Sequence, residues 1–138
     1  MSRRPFDPRL YLVMDPRHPE PLLLAKVQAA VVGGVTLVQL RDKAGGSAAR
    51  IAAARRLAPL LATYGVPLIV NDDVEAALAS GAAGVHLGQG DMPPAEARAR
   101  LGEQAIIGLS IEHVDEIDAV DPGIVDYVAA SPVFATAT

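Results

Sequence analysis

The chain has 138 residues, 51% hydrophobic and 20% charged, which supplies ample material for a buried core and excludes disorder as the dominant state. Twelve Lys and Arg against sixteen Asp and Glu leave a net charge of −4, which argues against a nucleic-acid backbone or an anionic membrane as the principal partner. With no cysteine there are no disulfides, thiolate metal sites or cysteine nucleophiles, and no apolar stretch has the length of a signal core or a membrane span, so a cytoplasmic protein is expected.

In chain order, short continuous apolar runs alternate with longer stretches of helical spacing. The first run, Leu10–Met14, is followed by a helical stretch at Pro21–Val32 and a second run at Val35–Leu40. Ser47–Tyr64 then reads as a long helix lined by Ile51, Ala54, Ala58 and Leu61, with Pro59 expected to kink or divide it. Pro67–Val70 leads to a helix at Asp73–Ser80, and Gly84–Leu87 leads to one at Pro93–Leu101. Ile106–Leu109, a weaker helical stretch at His113–Val120 and Asp126–Ala129 complete the pattern. Runs that lack polar alternation are what strands buried on both faces look like, and helices between them imply a parallel sheet. Gly33, Gly34, Gly81 and Gly102 fall between a helical stretch and the next strand, where a left-handed capping residue is expected.

The expected fold is therefore α/β, with about six strands in one domain over residues 1–138. A Rossmann sheet needs a glycine-rich turn after the first strand, and Met14-Asp15-Pro16-Arg17-His18-Pro19 has none, so the (β/α)₈ TIM barrel is preferred. Polar clusters follow the strands: Asp15, Arg41–Lys43, Asn71–Asp73, Gln89–Asp91 and Ser110. Parallel strands end on one edge, so these clusters should converge there, as active sites of this class do.

Within Gln39-Leu40-Arg41-Asp42-Lys43, an extended end puts Gln39, Arg41 and Lys43 on one side, a fork plus a point charge suited to a phosphate or diphosphate. The plainer reading is a solvated charge cluster opening a loop. Asp73 fits a helix N-cap, which leaves Asn71 and Asp72 without a structural explanation. Asp91, after Gly88-Gln89-Gly90, reads alone as a cap before Met92-Pro93; paired with Asp72 it offers hard oxygen ligands for magnesium beside a diphosphate. His86 reads as a hydrogen-bonded core residue, Ser110 as a helix cap, and His18 and His113 receive no role.

Taken together, Gly33 through Lys43, Val70-Asn71-Asp72-Asp73, Gly84 through Pro93, Ile107-Gly108-Leu109-Ser110, and Asp126-Tyr127-Val128 through Ser131-Pro132-Val133-Phe134-Ala135-Thr136-Ala137-Thr138 closely resemble the thiamine-phosphate synthase family. The likeness runs from about Leu10 to the last residue. It implies a (β/α)₈ barrel and a magnesium-dependent transferase that joins hydroxymethylpyrimidine diphosphate to a thiazole phosphate and releases diphosphate. The implied substrate-binding set is Gln39, Leu40, Arg41, Asp42, Lys43, Asn71, Ser110 and the Thr136-Ala137-Thr138 segment, with Asp72 and Asp91 on Mg2+. Arg41, Lys43 and Ser110 carry the catalytic expectation. Two departures are visible: the chain stops at Thr138, where the family pattern continues with a lysine, and Ser131 stands where a glycine is usual.

Two other readings are weighed against this one. A thiazole tautomerase of the same family would have no use for a diphosphate clamp or a magnesium pair, and a non-catalytic binding module would release no diphosphate. The expected partners are small-molecule substrates, and association into a homo-oligomer is left open. Because a (β/α)₈ barrel needs roughly 200 residues and about six strands are found, the remaining strands are expected on a further segment of the same polypeptide.

Overall fold

The computed structural model describes residues 2–17 and 19–137, so His18 and Thr138 lie outside the described residues. Six strands, β1 (Tyr11–Met14), β2 (Leu37–Leu40), β3 (Leu68–Asn71), β4 (Gly84–Leu87), β5 (Ile106–Ile111) and β6 (Tyr127–Ala130), form one sheet in the order of the sequence. Every neighbouring pair is parallel. A doubly wound sheet reverses its order at a switch point, and this one does not. The connections are α1 (Glu20–Val32), α2 (Ser47–Thr63), α3 (Val74–Ser80), α4 (Pro94–Leu101) and a 3₁₀ turn at Val114–Ala119. None of the described helices is long and apolar enough to cross a membrane.

Period-two alternation along each strand divides the sheet into two faces. The outer face, with Leu12, Val38, Leu40, Leu68, Val70, Val85, Leu87, Ile107 and Leu109, packs with Leu23 and Val27 of α1, Leu57 and Leu61 of α2 and Ala97 of α4 in the main core. A smaller cluster on the inner face gathers Leu37, Ile69, Ala83 and Ile106 against Phe6, Tyr11 and Tyr127. Above that apolar floor, further along the strands, stand the polar inner residues Gln39, Asn71, His86 and Ser110. The sheet curls around this face into a half-barrel, because side chains from its two edge strands, β1 and β6, meet across it.

Some expectations are corrected. Pro59 does not divide α2, which runs unbroken from Ser47 to Thr63. It lies on the exposed side, where water can reach the carbonyl it leaves without a helical donor. Gly33 closes α1 in the right-handed conformation, and the positive φ, 117°, falls on Gly34 instead. The stretch His113–Val120 contains only a 3₁₀ turn with no buried residue, so it has no apolar face to hold a longer helix. Ser110 caps no helix, since β5 continues through it to Ile111. Asp91 is not the α4 cap either, a position taken by Pro93.

Two anchors fix the strand ends that matter most. Asp73 caps α3 as expected, its Oδ1 accepting from the Ala76 amide at 2.9 Å while Oδ2 pairs with Arg50 at 3.2 Å. At the opposite edge Asp126, just before β6, accepts from Arg98 at 2.8 Å, from the Ile107 amide at 2.8 Å and from Arg3 at 2.9 Å. Arg98 is 6% exposed and also donates to the carbonyls of Gly102, Ala105 and Ile124, so this ion pair is built into the base of the sheet.

Candidate functional site

Because the strands are parallel, their C-terminal ends lie on one edge, and that edge carries the charged residues. β2 delivers Gln39 with its side chain buried on the inner face, and Arg41 follows exposed at the rim, its amide donating to the Met14 carbonyl at 2.8 Å. Leu40 points the other way into the helix-covered core, 1% exposed. Asp42 shapes the loop: its carboxylate accepts from the Gly45 amide at 2.7 Å and its carbonyl from Arg50 at 2.9 Å. Lys43 reaches back to form an ion pair with Asp72.

β3 ends at Asn71, which is buried, and the chain then turns through Asp72 with φ of 65°, a left-handed conformation that side-chain-bearing residues rarely adopt. The Asp72 amide donates to the His86 carbonyl at 2.8 Å, which fixes the turn against β4. After β4 the Gly88–Asp91 loop folds so that Asp91 Oδ2 accepts from the Gly88 amide at 2.7 Å. The Asp72 and Asp91 carboxyls lie within hydrogen-bonding reach of one another. Burial raises the Asp91 carboxyl above its ordinary range, and the shared hydrogen bond with Asp72 raises it further. Burial also works upward on Asp72, but hydrogen bonds with Asp91 and Lys43 and the charges of Lys43 and Arg41 outweigh it and hold that carboxyl low.

The two carboxyls, one raised and one held low, are a pair of hard oxygen donors with Lys43 and Arg41 beside them. Among the described residues no group of three or more His, Cys, Asp and Glu could hold a metal by itself. Magnesium characteristically takes one or two carboxylates and completes its shell with water and substrate phosphate, so the pair fits that ion when a diphosphate supplies the rest. Arg41 and Lys43 at the same rim are cations of the kind that pair with phosphate oxygens.

Beneath the rim lies a hydrogen-bonded line that the sequence reading did not single out. Gln39 Nε2 donates to the Tyr11 hydroxyl at 3.0 Å, and the Tyr11 and Tyr127 hydroxyls are 2.6 Å apart. The Tyr127 hydroxyl is 2.9 Å from His86 Nδ1, and His86 Nε2 is 2.7 Å from Ser110 Oγ. Gln89 Nε2 donates to the Ser110 carbonyl at 2.9 Å. His86 is thus the hydrogen-bonded, buried residue it was expected to be; burial lowers its pKa, with the Asp72 charge opposing. Burial raises both tyrosines above the ordinary phenol range, Tyr127 further because Tyr11 adds to the effect. A tyrosine at an inner-face position of β1 and another in the Asp126-Tyr127-Val128 run were the available signals, and neither carries a charge or a motif of its own.

The structure therefore joins Lys43, Asp72 and Asp91 directly, sets Arg41 within electrostatic reach of Asp72, and links Gln39 to Ser110 through three intervening side chains. Thr136 and Ala137 lie in exposed chain beyond the end of β6.

Comparison with known proteins assigns a family to this arrangement. Residues 10–138 match the family model described as thiamine monophosphate synthase. The chain is 54% identical over 135 residues to the thiamine-phosphate synthase of Azorhizobium caulinodans, covering 97% of this chain and 64% of that protein. It is 48% identical over 130 residues to the thiamine-phosphate synthase of Vibrio parahaemolyticus, covering 94% of this chain and 64% of that protein. Among solved structures, the thiamine phosphate pyrophosphorylase from Pyrococcus furiosus superposes with a TM-score of 0.79 at 32% identity, covering 92% of this chain and 61% of that one. The chain thus spans somewhat under two thirds of the length of the relatives it matches.

Proposed function

Since the chain belongs to the thiamine monophosphate synthase family, we propose that it takes part in thiamine biosynthesis as a transferase, joining hydroxymethylpyrimidine diphosphate to a thiazole phosphate and releasing diphosphate. The observation that carries this reading is the convergence of Arg41, Lys43, Asp72 and Asp91 at one rim of the sheet, directly above the polar inner face. A tautomerase acting on the thiazole alone has no diphosphate to release and no use for a magnesium pair.

In the proposed reaction the bond between the pyrimidine methylene carbon and the diphosphate oxygen breaks, and the electron pair leaves with the oxygen. The electron-rich ring carries the resulting cation until the thiazole nitrogen donates its lone pair to the methylene carbon. A thiazole bearing a carboxylate then loses carbon dioxide. Negative charge grows on the diphosphate as it departs, and Arg41 and Lys43 stand where they would meet it, an interaction that strengthens toward the transition state. Asp72 and Asp91 would hold magnesium, which when bound supplies further neutralisation of that charge. Gln39, Asn71 and Ser110 would orient the pyrimidine over the inner face, with the 136–138 segment receiving the thiazole phosphate.

We read the curled sheet as part of a (β/α)₈ barrel and place the protein in the cytoplasm, a setting that suits a chain without cysteine. The test is an assay with both substrates and magnesium, following thiamine phosphate by chromatography, on the protein and on Arg41→Ala. Product formation with Arg41→Ala lowering turnover as well as affinity supports the reading. No product, or a variant that changes neither, contradicts it.

A further inference from the structure

Five side chains from five strands form the line Gln39, Tyr11, Tyr127, His86, Ser110. Its ends are residues that the proposed reaction would use, whereas its three middle members have no role in that reaction. The line exists because of a local register. His86 of β4 pairs with Gly108 of β5, and Gly108 pairs with Tyr127 of β6. A Cβ on Gly108 would overlap the Tyr127 ring and hydroxyl, so the glycine opens the lane through which Tyr127 crosses a whole strand to reach His86. The two rings stack at 5.5 Å, and the T-shaped contact with Tyr11 at 5.8 Å holds the other side. Asp126, immediately before Tyr127, is pinned by Arg98 and Arg3.

The direction of the protons along the line follows from its first member. Gln39 presents Nε2, which can only donate, to the Tyr11 hydroxyl. Among the described residues the one other partner of that hydroxyl is Tyr127, so the Tyr11 proton points there. Tyr127 then accepts from Tyr11, and its own proton goes to His86 Nδ1. An imidazole that accepts at Nδ1 carries its proton on Nε2, and Nε2 donates to Ser110 Oγ. Among the described residues, none of these hydrogen bonds takes the Ser110 hydroxyl proton.

We propose that Tyr127 is a positioning residue that holds His86 in the Nε2–H tautomer, so that Ser110 faces the substrate as a hydrogen-bond donor, matched to an acceptor nitrogen of an electron-rich heteroaromatic ring. The identity of that ring rests on the proposed function; the proton order does not. With the opposite tautomer Ser110 would donate to His86, and its lone pairs would face the ligand instead.

The experiment is long-range proton–nitrogen NMR of the His86 ring in the ligand-free protein, combined with calorimetric titration of hydroxymethylpyrimidine diphosphate in the presence of magnesium. In the unmodified protein the ring nitrogen Nδ1 should show the shift of an unprotonated nitrogen and Nε2 that of a protonated one. Tyr127→Phe, which keeps the ring and removes only the hydroxyl, should mix the tautomers and weaken the ligand about fivefold to tenfold, the size of one neutral hydrogen bond. Tyr11→Phe, which leaves the Tyr127 hydroxyl in place but without its directing donor, should mix the tautomers as well. A protonated Nδ1 in the unmodified protein, a tautomer indifferent to both substitutions, or an unchanged affinity in Tyr127→Phe overturns the inference. Failure of the unmodified protein to bind the pyrimidine diphosphate would instead sink the proposed function, while the tautomer still decides the proton order.

Discussion

Tyr11 and Tyr127 stand on the two edge strands of the sheet, yet their hydroxyls are 2.6 Å apart. Strands at the edges of a flat six-stranded sheet would be about 24 Å apart at the usual spacing, so this single contact records how far the sheet has curled. It also closes the inner face over Leu37, Ile69 and Ile106 and sets the floor on which Gln39, His86 and Ser110 are displayed.

The contact should be measurable. In a double-mutant cycle, Tyr11→Phe and Tyr127→Phe are expected to couple by about 0.5–1.5 kcal/mol in urea unfolding, since each removes one end of a half-buried hydrogen bond. Strict additivity would mean that the hydroxyls do not meet in solution.

Alkaline pH gives a second check with a fixed sign. Burial raises both tyrosines above the ordinary phenol value of about 10. Above that value the unfolded chain releases phenolic protons that the folded chain keeps, so the unfolded state binds fewer protons and stability falls as pH rises. The protein should lose stability above about pH 10, and Tyr127→Phe should flatten that decline. Denaturation midpoints measured from pH 9 to 11 that are level, or equally steep in the variant, would contradict the assignment.

The Arg98–Asp126 pair predicts a large stability effect away from the rim. Asp126→Ala strips the carboxylate from a guanidinium that is 6% exposed and should cost about 3 kcal/mol, in the range for breaking a buried pair. It should also loosen the start of β6, which near-ultraviolet circular dichroism would report through Tyr127. A loss under about 1 kcal/mol would show that the carbonyls around Arg98 suffice without the carboxylate.

Much of the fold was legible because its cause is local. Unbroken apolar runs such as Val35–Leu40 and Pro67–Val70 mark strands covered on both faces, and the strand-end positions of Arg41, Lys43, Asp72 and Asp91 follow from parallel topology alone. What escaped was non-local. The meeting of Tyr11 with Tyr127 depends on the curl of the whole sheet, and Arg98 shows no sign in the sequence of being buried. Pro59 leaves α2 undivided because that depends on which side of the helix faces water, and Ser110 escaped because a bare serine after an apolar run reads equally as a cap or as a strand residue.

Asp72 should separate stability from activity. Its φ of 65° suits glycine better than any side-chain-bearing residue. Asp72→Gly is therefore expected to leave the fold unchanged or up to about 1 kcal/mol more stable, while diphosphate release drops by about a hundredfold or more with the loss of a proposed magnesium ligand. A variant that is both destabilised and active would reverse both halves of this expectation.

Central to the proposed function is a magnesium–diphosphate site at the rim of the sheet. The most direct measurement is the rate of diphosphate release from hydroxymethylpyrimidine diphosphate, with a thiazole phosphate present, as magnesium is titrated into the protein and into Asp91→Asn. Asp91→Asn keeps an oxygen for the Gly88 amide and removes the charge. The expected result is a release rate that rises with magnesium and vanishes with chelator in the unmodified protein, and that falls about a hundredfold or more in a folded Asp91→Asn. Equal rates in the two proteins at every magnesium concentration would contradict the account.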